Sequence, residues 1–224
     1  MNPTRREILQ GARVGILSAG AAGAHILFRL PGSALAAEPT EPSTEELMTP
    51  GPLAEMSQGS PDAPVTVIEY ASMTCSHCAA FAVHVYPELK KRYIDTGKVR
   101  FIVREFPLDP VVAVAGFKVA RCAGEGKYFN MMDLLFQKQA DWAFTRNPLQ
   151  GLSNLVKQAG FSRDSLEQCL ANQKLSDGIE WVRQRGVEKF RVESTPTFFI
   201  NGKMMRGEMP IEEFAKQIEP YLKG

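Results

Sequence analysis

The apolar positions of this chain fall into two periods that alternate along its length. Val65-Thr66-Val67-Ile68-Glu69-Tyr70-Ala71-Ser72 is an apolar run that reads as a buried strand, opened by Asp62-Ala63-Pro64. Beyond it Phe81, Val85, Leu89 and Tyr93 recur every four residues, which predicts a helix running to about Thr96 and stopped by Gly97. Val99–Phe106 then reads as a second strand. Strand, helix and strand of this length predict a right-handed βαβ unit with parallel strands. The sheet resumes only near the end, where Thr197–Ile200 and Lys203–Arg206 flank Asn201-Gly202. That dipeptide demands a type I′ hairpin. Pro210–Leu222 follows as a closing helix.

Residues 107–191 carry no strand pattern. Asp109-Pro110 is a cap followed by proline at a first helical position, leading into a helix over Val111–Cys122. Tyr128–Lys138, Pro148–Ala159 and Ser162–Leu170 read as further helices. Ile179, Val182, Gly186, Val187 and Phe190 mark one face of another. The Leu, Met and Phe stripes of these helices are expected to be core. The pattern therefore predicts an α/β fold in which a block of helices interrupts a small sheet.

Between the first strand and the first helix lies Cys75-Ser76-His77-Cys78. This placement puts Cys75 at a helix N-terminus, where unpaired backbone N–H groups and the macrodipole favour an anion. A thiolate is the anion that redox chemistry needs, so the pKa of Cys75 is expected to fall. A CxxC is also half of a zinc site, but zinc needs two further ligands. Cys122 and Cys169 lie 47 positions apart and form no second CxxC, and the three histidines are His25, His77 and His84. His84 falls away from the apolar stripe and is expected at the surface. No metal site is assigned. No Gly-rich phosphate motif, Ser-His-Asp set or acidic cluster stands out, so no cofactor is expected.

A second cluster lies far along the chain: Ser194-Thr195-Pro196-Thr197-Phe198-Phe199-Ile200-Asn201-Gly202. Proline cannot donate to a sheet ladder, so Pro196 marks the start of a strand. The words DAPVTVIEYASMTCSHC and ESTPTFFING together resemble the DsbA-like thiol–disulfide oxidoreductases of the thioredoxin superfamily, over roughly Gly59 to Gly224. The resemblance rests on an acid six residues before the first cysteine, a histidine third in the CxxC, and Thr195-Pro196. It departs from the best-known members at Ser76, where they carry proline, and at Thr195, where the archetypal oxidase has valine.

The resemblance implies a thioredoxin fold with an inserted all-helical domain: residues 59–106 and 192–224 form the thioredoxin domain and 107–191 the insertion. It implies a cis Pro196 facing the CxxC. Cys75 is then the exposed nucleophile and Cys78 the buried partner. His77 is expected to donate a hydrogen bond or positive charge to the Cys75 thiolate. Glu69 is expected to lie buried beneath the CxxC with a raised pKa and to shuttle the Cys78 proton. Cys122 and Cys169 sit at the C-terminal ends of predicted helices, and some DsbA-like proteins carry an extra bridge in this domain. They are expected to form a structural disulfide; the alternative is two separately buried thiols.

Residues 1–36 look like an export signal. Thr4-Arg5-Arg6-Glu7-Ile8-Leu9 resembles the twin-arginine motif, a weakly apolar stretch follows over Val14–Phe28, and Ala34-Leu35-Ala36 is a small-x-small cleavage site. The alternative is an uncleaved anchor. Either way the chain is expected in the periplasm, an oxidising compartment where disulfides persist. Without residues 1–36, which hold four basic side chains and one acid, 22 basic and 24 acidic residues leave a charge near −2. Such a balance gives no electrostatic case for nucleic acid or anionic membranes. Residues 37–58 read as a flexible lead-in, rich at first in Pro, Thr and Glu. The function expected is a monomeric oxidase that introduces disulfides into reduced exported polypeptides and is reoxidised by a membrane redox partner. An isomerase or reductase is the first alternative. A non-catalytic peptide- or metal-binding CxxC module is the second.

Overall fold

The computed structural model describes residues 42–222; the expected export signal lies outside them. At the centre is a five-stranded sheet in the order β1-β3-β2-β4-β5. Its middle strands are β2 (Val65–Ala71) and β3 (Val99–Glu105), paired in parallel. β4 (Thr197–Ile200) runs antiparallel on the other side of β2, and β5 (Lys203–Arg206) pairs antiparallel with β4. The turn between them places Asn201 and Gly202 at positive φ, as the Asn-Gly dipeptide requires.

Side chains alternate across β2, and each face has its own core. Val65, Val67 and Ala71 point into the larger one with Phe101, Val103, Phe198 and Phe214. Ile68 and Tyr70 point into the smaller one with Ile102, Phe106, Val182 and Phe199. Glu69 shares the face of Val67 and Ala71, so the strand period alone carries its carboxyl under the helix that holds the cysteines.

The opening segment differs from expectation. Residues 42–58 are not a flexible lead-in but part of the fold. Ser43 and Glu46 form a capping box that opens the short helix α1 (Thr44–Leu47), and Leu47 is buried in the smaller core. β1 (Met56–Gln58) pairs antiparallel with β3. The physical cause lies on β3: Arg100 and Arg104 both bind Glu55, and buried Arg104 donates to the Leu47 carbonyl.

The active-site helix is also less regular than its four-residue period suggests. It consists of α2 (Ser76–Ala80), a π turn over Phe81–Val85, α3 (Tyr86–Leu89) and a second π turn over Lys90–Ile94. Pro87 has no N–H to continue the ordinary ladder, and the preceding Tyr86 N–H reaches back five residues to the Phe81 carbonyl.

Between β3 and β4 come α4 (Val112–Cys122), α5 (Tyr128–Gln137), α6 (Gln139–Trp142), α7 (Pro148–Gln158), α8 (Arg163–Ala171) and α9 (Gln173–Phe190). α9 covers the smaller core, while α4 to α8 lean on the face that holds Glu69. Cys122 at the end of α4 is joined to Cys169 in α8 by a disulfide with a Cα separation of 6.1 Å. Buried Glu105 anchors the insertion to the sheet. It accepts two hydrogen bonds from the Arg121 guanidinium, at 2.6 and 3.0 Å, and one from the Tyr128 hydroxyl. The last helix, α10 (Ile211–Ile218), packs Phe214 and Ile218 against the larger core. Among the described residues no helix is long and apolar enough to cross a membrane.

Candidate active site

β2 ends at Ala71, and the turn through Ser72–Thr74 delivers Cys75 to the first position ahead of α2. Cys75 is the N-cap of that helix, and its sulfur accepts the Cys78 N–H at 3.3 Å. Cysteine here takes the place of the usual serine or aspartate cap, so the anion-favouring end of the helix is spent on a thiol. Cys78 lies one turn in and is wholly buried. Both thiols are free, and Cys75 is itself buried rather than exposed as expected, because the Thr195 carbonyl lies over its sulfur.

Their proton affinities diverge. The Cys75 pKa is lowered from 9.0 to about 5. The Cys78 thiol beside it lowers it most, burial opposes, and Thr195 and the backbone N–H groups of Cys78 and His77 add to the lowering. Cys78 moves the other way, first because burial disfavours its charge and then because Cys75 and Glu69 stand next to it.

Thr195 presents two groups to Cys75. Its carbonyl lies 3.3 Å from the Cys75 sulfur and can only accept, so it suits the thiol. Its hydroxyl is buried and has no hydrogen-bond partner among the described residues, so it is the donor left for the thiolate. The Thr195–Pro196 bond is cis, and both residues are buried. Cys75, Cys78, Thr195 and Pro196 thus meet in one place, although 120 positions separate Cys75 from Thr195.

Glu69 lies beneath them, 4% exposed. Burial, and after it the charge of Cys75, raise its pKa to about 8. One carboxyl oxygen, Oε1, has no hydrogen-bond partner among the described residues.

His77 departs from expectation. Its side chain is 71% exposed and its Nδ1 lies 3.1 Å from a Glu208 carboxylate oxygen. The imidazole points along the surface to the loop before α10, not at Cys75. The reason is local: the second and third CxxC positions face outward from the first turn of α2, and only the His77 backbone N–H turns toward the sulfur. His84 is exposed, as its position off the apolar stripe implied.

Gln139 went unmarked by any sequence pattern. This buried side chain comes from α6 of the insertion and donates to the carbonyls of Met73 and Cys75, at 2.9 and 3.0 Å. It ties the loop that carries the nucleophile to the helical block. No motif surrounds it; only a polar residue at a core position of α6 could have drawn notice. Among the described residues no group of three His, Cys, Asp or Glu side chains is placed to hold a metal.

Fold and site together define a dithiol protein of DsbA-like thioredoxin architecture. A family model described as Thioredoxin matches residues 53–220, and the chain belongs to that family. A Rickettsia conorii protein whose name describes a protein-disulfide oxidoreductase is 32% identical over 175 residues, which cover 75% of this chain. The chain spans 60% of that relative's length. Disulfide bond formation protein D of Bacillus subtilis is 26% identical over 174 residues, covering 74% of this chain and 76% of the relative. The crystal structure of Wolbachia pipientis alpha-DsbA1 matches with a TM-score of 0.73 and 30% identity, over 81% of this chain and 97% of that one.

Proposed function

We propose that this chain is an exported thiol–disulfide oxidoreductase working as a dithiol oxidase on reduced polypeptides. The observation that carries the proposal is the placement of its two thiols: Cys75 at a helix N-cap, against Thr195 and the cis Pro196, and Cys78 wholly buried one turn behind it. In the disulfide form a substrate thiolate attacks the Cys75 sulfur. The Cys75–Cys78 bond breaks and Cys78 leaves as a thiolate, taking a proton from Glu69. The second substrate thiolate then attacks the substrate sulfur of the mixed disulfide, and Cys75 leaves as a stable thiolate. The substrate is oxidised and the pair reduced, with electrons balanced. Thr195 and Pro196 form the wall against which the substrate chain lies, and the Thr195 hydroxyl steadies the departing thiolate.

A pair that favours its reduced form must be reoxidised, so a membrane redox partner belongs to the cycle. Residues 1–36 serve as a twin-arginine export leader to the periplasm, and the mature chain acts as a monomer. The helical block over 107–191 is a separate insertion that supplies Gln139 to the site.

The deciding measurement is the reduction potential against glutathione. The expected value lies near the oxidising end of the scale, roughly −120 mV, as for strong dithiol oxidants. A value near that of thioredoxin, about −270 mV, would make the protein a reductase instead.

A further inference from the structure

Glu69 is buried, yet it is not sealed in. With Phe81, Ala82, Tyr86, Met132 and Asp133 it lines a cavity of about 30 Å³. One water needs roughly 10–15 Å³ on this measure, so the space admits a file of one or two. Glu69 lines this cavity, and its Oε1 is buried with no hydrogen-bond partner among the described residues. Asp133, an exposed residue of α5, lines the same cavity.

The groups that face Glu69 are few. Cys75 and Cys78 come from the active-site turn, Tyr86 from α3, and Tyr128 and Asp133 from α5. No basic side chain lines the cavity. The Tyr86 hydroxyl is held by Gln58, and burial pushes its pKa up, so it does not ionise near neutral pH. Tyr128 is engaged by Glu105, and its pKa is raised as well. Toward the redox pair Cys78 is wholly buried, and a docked substrate covers Cys75 just when the Cys78 proton moves. Asp133 is the carboxylate that lines the cavity together with Glu69 and is itself exposed to solvent.

We propose that this cavity is the proton outlet of Glu69 and that Asp133, at its mouth, is a positioning residue that holds the water file in line. The route runs beneath the helical insertion, away from the substrate face. Each time Glu69 gives its proton to the departing Cys78 thiolate, the carboxylate regains one from solvent past Asp133. Each reoxidation returns a proton by the same path. No electrons move in this step.

The inference rests on the reading of Glu69 as the proton donor to Cys78, and the test separates the two. The disulfide form of the full chain is reduced by dithiothreitol in a stopped-flow instrument across pH 5 to 9, with the Cys75 thiolate absorbance titrated in parallel. Asp133→Asn is expected to slow reduction at pH 7 about tenfold, less than the roughly 10²–10⁴-fold of a full general acid, because stray water still reaches the cavity. Asp133→Glu should restore most of the rate. Ala82→Leu, which narrows the cavity without removing charge, should also slow reduction, and the Cys75 midpoint should stay put in all three. A wild-type rate in Asp133→Asn with a slow Glu69→Gln would place the outlet elsewhere and overturn the inference alone. Wild-type rates in both would overturn the Glu69 reading as well. A shifted Cys75 midpoint in Asp133→Asn would make its effect electrostatic and also overturn the inference.

Discussion

Two thiols three residues apart hold their protons very differently, and position on one helical turn accounts for it. Cys75 caps the turn, with the Cys78 thiol and then backbone N–H groups beside its sulfur, whereas Cys78 stands inside it, wholly buried. A thiolate absorbance titration of the reduced protein should therefore give a midpoint near 5 for Cys75, and a midpoint near 9 would remove the basis for the oxidase proposal. His77 makes the sharper test. Its ring pairs with Glu208 at the surface, and an exposed pair is worth at most about 1 kcal/mol, or under one pK unit. His77→Ala should accordingly move the Cys75 midpoint by less than about one unit. A larger shift would mean that the ring spends its time against the sulfur. The CxxC spacing made Cys75 and Cys78 legible in the sequence, and the strand period did the same for Glu69. The imidazole's partner was not legible, because Glu208 lies 131 positions along the chain.

At the scale of elements, what could be read was whatever has a period. β2, β3, the Asn201-Gly202 hairpin and the longer helices of the insertion follow from alternation, four-residue spacing and turn chemistry. β1 has only three residues, too few to show a period, and its place is set by Arg100 and Arg104 of another strand. Pro87 was visible in the sequence, but a proline does not say whether a helix will end or widen; packing of Phe81, Leu89 and Tyr93 into one core keeps it going. The tie between elements that matters most for the site is Gln139. Both of its bonds end on carbonyls of the segment that aims Cys75. Gln139→Ala strands those buried acceptors, at a cost of about 1–3 kcal/mol for each buried group left unpaired. The variant should lose about 2 kcal/mol or more in urea unfolding, and its Cys75 midpoint should rise as the cap geometry loosens. Full stability with an unchanged midpoint would show that the insertion does not position the nucleophile.

At the scale of the whole molecule the titrating groups set how stability depends on pH and redox state. Folding raises the Glu69 pKa from 4.5 to about 8, so between those values the native state keeps a proton that the unfolded chain has lost. Stability conferred by the neutral carboxyl is complete below 4.5 and drains away as pH rises toward 8. Cys75 works in the opposite sense, since its pKa falls from 9.0 to about 5 and its contribution grows as pH rises through that window. In the reduced protein the two slopes oppose each other from about 5 to 8. In the disulfide form neither cysteine titrates, whereas the burial that mainly raises Glu69 persists. Urea unfolding of the oxidised protein should therefore show stability falling from pH 5 to pH 8 by up to about 1.4 kcal/mol per unit. The reduced protein should be nearly flat over the same range, and Glu69→Gln should flatten the oxidised profile. The gap in favour of the reduced state then widens with pH, and by the thermodynamic cycle that gap is the drive to hand a disulfide to a substrate. An oxidised form whose stability holds level or rises between pH 5 and pH 8 would mean that Glu69 is already ionised in the fold, and the proton step assigned to it would fail.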